Sequence, residues 1–400
     1  MVITGLQRWL TEGPAVASLP SGLRYGFLGH PASIDGSGRH ALEVLGSSSA
    51  GLPDRLFAPE HGLWGHEQDM EGVSTATDPW TGLAVHSLYG ATPESLRPTA
   101  ESLDGLDAIV IDLQDIGARY YTYVYTMAYV MEAAASRDLP VVVLDRPNPI
   151  DGVTLEGPVL EPGWESFVGR FPLPVRHAMT SGELAQFFAR YCGCACDLRV
   201  VEMQGWDRKG RFDTTGLPWV PPSPNMPALS TAIVYPGGCL IEGTQLSEGR
   251  GTTLPFELVG APELDAVALA DAMRRQDHPG VTFRAASFRP MFQKHAGVGC
   301  TGVQVIATDP DRVRSFELYL ALIAECRRLL GDRFAWRTET YEFESDRLAI
   351  DLLCGNDWIR PQLESGVEVS TLRERWRPDL DAFNERRQSC LLYGSPAPTT

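Results

Sequence analysis

The chain has 400 residues, which is too long for one ordinary hydrophobic core and predicts two domains. Hydrophobic residues make up 44% of the sequence and charged residues 21%, a composition typical of folded globular proteins. The formal net charge of -17 repels phosphate backbones, so we expect no nucleic-acid partner, and an anionic ligand needs locally placed arginines.

The first half of the chain alternates short apolar runs with an amphipathic stretch. Runs such as DAIVIDLQD and VVVLD are nearly all apolar, which is typical of strands buried on both faces. This alternation favours a parallel sheet, in which ligands bind beyond the carboxyl ends of the strands. The predicted strands are residues 23–29, 55–59, 83–89, 107–115 and 141–145, and the predicted helix is residues 125–138.

The amino-acid composition changes near residue 219. The segments VPPSPNMP and YPGGCLIEGTQLSEGRGTTLPFE are rich in proline and glycine, so we predict extended loops there rather than a helix or a central strand. Beyond them we predict a mixed α+β domain, with the boundary between residues 225 and 255. Its predicted helices are residues 263–276, 316–330 and 372–388, and its predicted strands are residues 280–288 and 302–309.

The segment PEHGLWGHE, residues 59–67, follows a predicted strand and contains two glutamates and two histidines. One interpretation makes Glu60 a catalytic carboxyl. Another builds a metal site from His61, His66 and Glu67, although their spacing is not the helical pair of zinc hydrolases. A hydrated loop without chemistry is the third interpretation.

The segment DLQDIGARYYTY places Asp115 and Arg119 beside three tyrosines. Aromatic faces beside carboxylates suit carbohydrate rings, whereas the plainer interpretation is that the tyrosines pack a helix. Because Tyr120, Tyr121 and Tyr123 cannot all face one side of a helix, we expect at least one of them to point into a loop or cleft.

Two further segments carry charged and amide side chains in proline- or glycine-rich turns: RPNPIDGVTLEGPVLEP, and GCLIEGTQLSEGRGTT. The glycine-rich second segment matches neither the P-loop nor the dinucleotide-binding pattern, so we expect no nucleotide cofactor. No G-x-S-x-G elbow supports a serine hydrolase. Glycoside hydrolysis fits a cleft rich in carboxylates, since it needs two carboxyl groups and no cofactor. The residues concerned are Arg146, Asn148 and Glu156 in the first segment, and Glu242, Glu248 and Arg250 in the second.

Cysteine usage and hydropathy bear on the compartment. The cluster of Cys192, Cys194 and Cys196 lacks the second pair that a structural zinc site needs, so we predict reduced thiols and no metal. Neither a secretion signal nor an apolar run of about 18 residues is recognisable. These features predict a cytoplasmic protein without a membrane partner, and they leave its oligomeric state open. The last residues, GSPAPTT, are expected to form a disordered tail.

At these motifs the chain resembles the NamZ-type exo-β-N-acetylmuramidases, from about Tyr25 to about Gln304. The resemblance rests on FAPEHGLWG, VIDLQDIGARYYTYVYTMAYVMEAAA, VVLDRPNPIDG, LEGPVLEP, FPLPVRHAMTSGELAQFF, GLPWVPPSPNMP and YPGGCLIEGTQLSEGRGTT. It implies an α/β fold, with a Rossmann-like parallel-sheet domain over residues 1–235 and a smaller mixed α+β domain over residues 236–400 that completes the cleft.

The resemblance further implies release of a non-reducing-end N-acetylmuramic acid from peptidoglycan fragments, without a cofactor. It makes Glu60 the leading catalytic acid. A non-catalytic muramyl-sugar-binding protein and a metal-dependent hydrolase are the alternative functions. The candidates for the second carboxyl are Glu156, Asp115 and Glu242, and the candidates for substrate binding are His61, Arg119, Tyr120, Arg146, Asn148, Glu248 and Arg250.

Overall fold

The structure, a computed structural model, describes residues 1–68, 71–72 and 76–394, so the predicted tail lies almost entirely outside the described residues. Its strands are β1 (Tyr25–Leu28), β2 (Arg55–Ala58), β3 (Ala76–Thr77), β4 (Ala84–Ser87), β5 (Ala108–Ile111), β6 (Val141–Leu144), β7 (Glu156–Val159), β8 (Pro174–Arg176), β9 (Leu198–Val201), β10 (Leu258–Ala261), β11 (Val281–Phe288) and β12 (Cys300–Ala307). Its helices are α1 (Gly5–Glu12), α2 (Ala41–Val44), α3 (Ala100–Leu103), α4 (Tyr123–Ala135), α5 (Ser181–Tyr191), α6 (Leu229–Gly238), α7 (Ala266–Arg275), α8 (Ser315–Leu330), α9 (Ala349–Cys354), α10 (Ile359–Glu364) and α11 (Val369–Arg387).

The first half is built on a seven-stranded sheet in the order β3-β4-β2-β1-β5-β6-β9. All its pairings are parallel except that of β3 with β4 at one edge. Alternate residues of the central strands enter different cores. Ile109 and Ile111 pack on one face with α4 and α5, whereas Val110 packs on the other face with α1 and α2. Burial on both faces explains the continuous apolar runs, and the predicted parallel sheet is confirmed.

The second half contains a smaller antiparallel sheet in the order β10-β12-β11, against which α7 packs. This arrangement confirms an N-terminal α/β domain followed by a smaller domain that mixes helices with an antiparallel sheet. The boundary predicted between residues 235 and 236 falls inside α6 and stays a prediction. A two-stranded sheet of β7 and β8 lies between β6 and β9 in the sequence.

The prediction that YPGG cannot be helical is wrong. These residues form the last turn of α6, which contains Pro236. The lost backbone donor is tolerated because the helix ends two residues later and continues as a 3-10 turn. Gly237 is required there, since a Cβ at this position would collide with the Ser315 carbonyl at the start of α8. The glycine therefore permits close packing of two helices.

Arg119 ties separate parts of the chain together from a fully buried position. Its Nη1 donates to the carbonyls of Pro158 at 2.8 Å and Leu173 at 2.9 Å, and its Nη2 donates to the carbonyl of Leu353 at 2.7 Å. The first two acceptors belong to the region of β7 and β8, and the third belongs to α9. One guanidinium therefore joins the end of the parallel sheet to the C-terminal half.

The chain also returns to the first sheet near its C-terminus. The Tyr393 hydroxyl donates to Asp145 Oδ2 at 2.6 Å across 248 residues of sequence, and the Leu392 amide donates to Glu183 Oε1 at 2.9 Å. Burial raises the pKa of Asp145 to about 7, although the Tyr393 hydrogen bond opposes the rise. Residues that follow α11 thus bind the polar groups at the carboxyl end of β6.

Two further properties concern the helices and the cysteines. Of the described helices, none is both long and apolar enough to cross a membrane. The eight cysteines all lie in the described part of the chain and carry free thiols.

We predict that Arg119→Met lowers the free energy of unfolding by at least about 3 kcal/mol. The carbonyls of Pro158 and Leu353 lose the Arg119 donor, and a buried acceptor left unpaired costs about 1–3 kcal/mol. The Leu173 carbonyl also loses Arg119 but keeps the Leu160 amide at 3.1 Å. Urea denaturation followed by circular dichroism measures the change. The matched control is Arg137→Met, which removes only a surface ion pair with Asp104 and should cost less than about 1 kcal/mol. Equal losses in the two variants would contradict the anchoring role.

Candidate active site

A cavity lies between the two halves of the chain, with about 500 Å³ of empty space that includes its opening to solvent. The carboxyl end of β2 and the segment after β5 form one side of it, and residues after α6 and from 341–342 form the other. Five of the predicted site residues line it: Glu60, His61, Tyr120, Glu242 and Arg250. The other lining residues are Tyr121, Thr122, Tyr123, Val168, Ser223, Asn225, Met226, Tyr235, Phe256, Tyr341 and Glu342.

Glu60 enters the cavity at the carboxyl end of the sheet. It follows β2 after a single proline, and its Oε2 accepts a hydrogen bond from Thr122 Oγ1 at 2.7 Å. Because β2 and β5 flank β1, the two residues meet across the end of the central strand. The next residue, His61, has a φ of 67°, a left-handed conformation that is unfavourable for a residue with a Cβ. The backbone therefore accepts strain where it turns into the cavity.

The metal interpretation of this segment finds no support in the geometry. His61 Nδ1 lies 2.9 Å from the carbonyl of Glu67, whereas His66 is largely exposed and pairs with the Glu67 side chain at 2.9 Å. The three side chains therefore do not converge. In the described part of the chain, no group of three or more acidic, histidine or cysteine side chains is arranged to hold a metal ion.

Tyrosines form an aromatic wall of the cavity. The cavity is lined by Tyr120, Tyr121 and Tyr123. All three can line it because α4 begins only at Tyr123, so the two preceding tyrosines are not bound by the spacing of a helix. Tyr121 packs edge-to-face against Tyr123 at 4.9 Å and against Tyr235 at 6.0 Å between ring centroids. The expectation that at least one tyrosine points into a cleft is met by all three.

Glu242 and Arg250 form a buried pair on the opposite side. Arg250 Nη2 donates to Glu242 Oε1 at 2.6 Å, and the Tyr341 hydroxyl donates to Glu242 Oε2 at 2.7 Å. Burial by itself raises the pKa of Glu242, but the charge and hydrogen bond of Arg250 outweigh it and hold the pKa below its ordinary value. Glu242 is therefore ionised at neutral pH.

Glu248 extends this pair into a cluster. Its Oε1 lies 3.5 Å from Arg250 Nε, and its Oε2 lies 2.7 Å from Lys294 Nζ. Lys294 also donates to the carbonyls of Ile241 and Thr244 at 3.0 Å each. Two carboxylates and two cations thus balance in a buried region next to the cavity, although Glu248 itself lies outside the lining.

Asp115 is buried and does not line the cavity. Its Oδ2 accepts from the Gly117 amide at 2.6 Å and lies 3.3 Å from His177 Nε2, and its Oδ1 has no hydrogen-bond partner among the described residues. Burial raises the pKa of Tyr121, and the charges of Asp115 and Glu60 add to the rise. Asp115 therefore influences the cavity electrostatically, through its effect on the pKa of Tyr121, and not by lining it.

Glu156 lies outside the cavity lining and serves a helix. Its Oε1 accepts from the amides of Phe316 at 2.6 Å and Glu317 at 3.4 Å, at the N-terminus of α8. Burial raises the pKa of Glu156 to about 7, and the charge of Arg176 opposes this. Such a raised pKa is common at catalytic sites, but here it arises from burial at a helix end.

Three other predicted ligands also lie outside this lining. Arg119 is occupied by the three carbonyls described above. Arg146 donates two hydrogen bonds to Asp112, of 2.6 and 2.7 Å, and lines a separate small cavity. Asn148 donates to the Met179 carbonyl and accepts from the Ile150 amide, which closes a turn. Their roles as ligands stay predictions.

Tyr341 and Glu342 are lining residues that the sequence analysis missed. They belong to a tight turn in which the backbones of Tyr341 and Glu344 exchange hydrogen bonds of 2.9 Å. The two central residues, Glu342 and Phe343, have φ values of 45° and 70°. Each such residue costs about 1–3 kcal/mol in backbone strain. The letters YEFE gave no signal, because side-chain direction in a turn depends on its backbone conformation.

Comparisons with known proteins agree with the resemblance. The family model described as exo-β-N-acetylmuramidase NamZ, N-terminal, matches residues 25–230, and the corresponding C-terminal model matches residues 233–393. The peptidoglycan β-N-acetylmuramidase NamZ of Bacillus subtilis is 44% identical over 372 residues, which cover 93% of this chain and 87% of that protein.

Two solved structures from Bacteroides fragilis, both titled DUF1343 family proteins, have the same architecture. One is 33% identical with a TM-score of 0.86, and the match covers 98% of this chain and 99% of that one. The other is 27% identical with a TM-score of 0.74, and the match covers 99% and 100%. Since both family models match in order and span most of the sequence, the chain belongs to the NamZ family of exo-β-N-acetylmuramidases.

Proposed function

We propose that this protein is a glycoside hydrolase that releases N-acetylmuramic acid from the non-reducing ends of peptidoglycan fragments. The observation that carries the proposal is the buried carboxyl of Glu60 in a tyrosine-walled cavity between the two halves.

The carboxyls of Glu60 and Glu242 have different environments, as the two catalytic carboxyls of a glycoside hydrolase require. We assign Glu60 as the general acid, which protonates the leaving oxygen. Glu242 is the candidate for the second carboxyl that also lines the cavity, whereas Asp115 and Glu156 lie outside the lining. Arg250 and Tyr341 keep Glu242 ionised and fixed, so that its charge can stabilise the positive charge that develops on the sugar ring.

The alternative function is binding of muramyl sugars without hydrolysis. A disaccharide assay separates the two functions. The purified protein is incubated with muramic acid–glucosamine disaccharide, in which the muramic acid is at the non-reducing end, and with the reversed isomer. We expect release of monosaccharides from the first alone. Tight binding of the first disaccharide without cleavage would establish the alternative.

Glu60→Gln should reduce turnover of the disaccharide by about 10²–10⁴, the usual contribution of a general acid, while the protein stays folded. An aryl glycoside with a good leaving group needs less protonation and should be affected less. The control is Glu67→Gln in the same loop, whose side chain pairs with the exposed His66. Near-normal turnover of the disaccharide by Glu60→Gln would remove the assignment.

Selection of an acidic sugar by an acidic protein requires a local cation. N-acetylmuramic acid differs from N-acetylglucosamine by a lactyl ether that carries a carboxylate, and a guanidinium can grip a carboxylate with two parallel hydrogen bonds. Of the two arginines that the sequence suggests for this role, Arg250 lines the cavity and Arg119 does not. Arg250 already pairs with Glu242 and Glu248, so the lactyl group adds a third carboxylate around it.

We predict that Arg250→Leu weakens binding of muramyl substrates by about 1.5–3 kcal/mol, the worth of a charged hydrogen bond. It should also narrow the preference for muramyl over glucosaminyl aryl glycosides, measured as the ratio of the two kcat/KM values. Arg250→Lys keeps the charge but loses the fork, and Arg119→Leu should leave the ratio unchanged. An equal loss on both sugars in Arg250→Leu would make this arginine structural.

We further propose a cytoplasmic location, in which the protein recycles muropeptide sugars, without a nucleic-acid or membrane partner. Eight free cysteines, most of them buried, support a reducing compartment. Thiol titration under denaturing, non-reducing conditions should find all eight free in protein from its native host. Paired cysteines in that material would contradict the location.

A further inference from the structure

Glu342 is held in the cavity by a turn that its own sequence disfavours. A two-residue turn with positive φ at both central positions is normally made by Asn-Gly, because other side chains collide with their own backbone there. This chain has Glu342 and Phe343 instead, with φ values of 45° and 70°. Residues in such conformations cluster at functional sites, so the strain itself points to a role for one or both side chains.

The surroundings keep both side chains in place. The Phe343 ring packs against Tyr89 at 6.0 Å and against Phe167 at 5.9 Å between centroids. The Tyr89 hydroxyl donates to Glu342 Oε2 at 3.2 Å, and Glu342 is only 5% exposed. Phe343 therefore anchors the turn in an aromatic cluster, and Glu342 presents a buried, oriented carboxyl to the cavity.

The chemistry of the sugar restricts what this carboxyl can bind. An ionised carboxylate only accepts hydrogen bonds. A terminal β-linked N-acetylmuramic acid offers three donors: the acetamido N–H, the C4 hydroxyl and the C6 hydroxyl. Its C1 oxygen is glycosidic, its C3 oxygen is an ether and its lactyl group is anionic. As a hydrogen-bond acceptor, Glu342 can therefore contact one of three positions on the ring.

We propose that Glu342 accepts a hydrogen bond from the C4 hydroxyl of the terminal sugar and thereby restricts the enzyme to chain ends. In an internal sugar the C4 oxygen carries the next residue, so it has no hydrogen to donate and no room beside a buried carboxyl. The C6 hydroxyl is free in both cases and cannot mark an end.

The placement of the carboxyls agrees with this role. Glu60, the proposed acid for the C1 oxygen, comes from the end of β2, whereas Glu342 comes from the C-terminal half. C1 and C4 lie at opposite ends of a pyranose ring, so a ring between the two halves places them against different walls. The inference rests on the proposed exo-muramidase function.

The test compares three aryl β-N-acetylmuraminides: the parent, its 4-deoxy analogue and its 6-deoxy analogue. We expect wild-type kcat/KM to fall by about 10–100-fold for the 4-deoxy analogue, the range typical of a lost hydrogen bond to a charged group. In Glu342→Gln and Glu342→Asn the parent should lose a similar factor, and the penalty for the 4-deoxy analogue should shrink to less than about threefold. Glu342→Asn guards against misfolding, because asparagine tolerates the positive φ that this turn requires.

The matched control is Glu344→Gln, two residues away in the same turn, where the side chain pairs with Arg347 outside the cavity. It should keep both kcat/KM and the penalty for the 4-deoxy analogue. Two results overturn the inference and leave the proposed function intact. In the first, Glu342→Asn keeps the full wild-type loss of kcat/KM for the 4-deoxy analogue. In the second, the substitution reduces only the loss for the 6-deoxy analogue. A wild-type enzyme that cleaves no parent glycoside overturns the proposed function itself, and this inference with it.

Discussion

The rest of the structure depends on the buried guanidinium of Arg119. It lies between the end of β5 and the tyrosines of the cavity wall, and it donates to carbonyls from the region of β7 and β8 and from α9. Glu156 acts nearby in the opposite sense, since its carboxyl accepts from the first amides of α8. Arg119 and Glu156, both from the first half, thus bind backbone groups of α9 and α8 in the second half. Because the cavity takes residues from both halves, its shape depends on these two contacts.

The sheet could be predicted from the sequence because its constraint is local and strong. A strand such as β5, covered on both faces, must be apolar at every position, and a polar motif directly after it must lie at the carboxyl edge. The same logic brought Glu60 to the cavity. It could not separate Arg250 from Arg119, since residue type indicates what a side chain can bind but not which groups lie within its reach. For Glu342 the decisive information is a pair of backbone angles, and no periodicity encodes them.

Charge is arranged in this protein by local balance. The chain as a whole carries a net charge of -17, yet Glu242 and Glu248 face Arg250 and Lys294 within one buried cluster. The charge and hydrogen bond of Arg250 hold the pKa of Glu242 below its ordinary value despite burial, so this carboxylate stays ionised. An incoming sugar acid therefore meets a site whose cations are already oriented, while the strongly acidic surroundings discourage other polyanions such as nucleic acids.

The return of the chain to β6 has a consequence for the time at which the protein can become active. Asp145 emerges from the ribosome 248 residues before its partner Tyr393, which at about 5–20 residues per second is a delay of some tens of seconds. During this interval Asp145 at the end of β6 lacks its Tyr393 partner, and the C-terminal half that supplies Glu242 and Arg250 is still being made. The nascent chain therefore cannot complete the cavity between its two halves until synthesis is nearly finished.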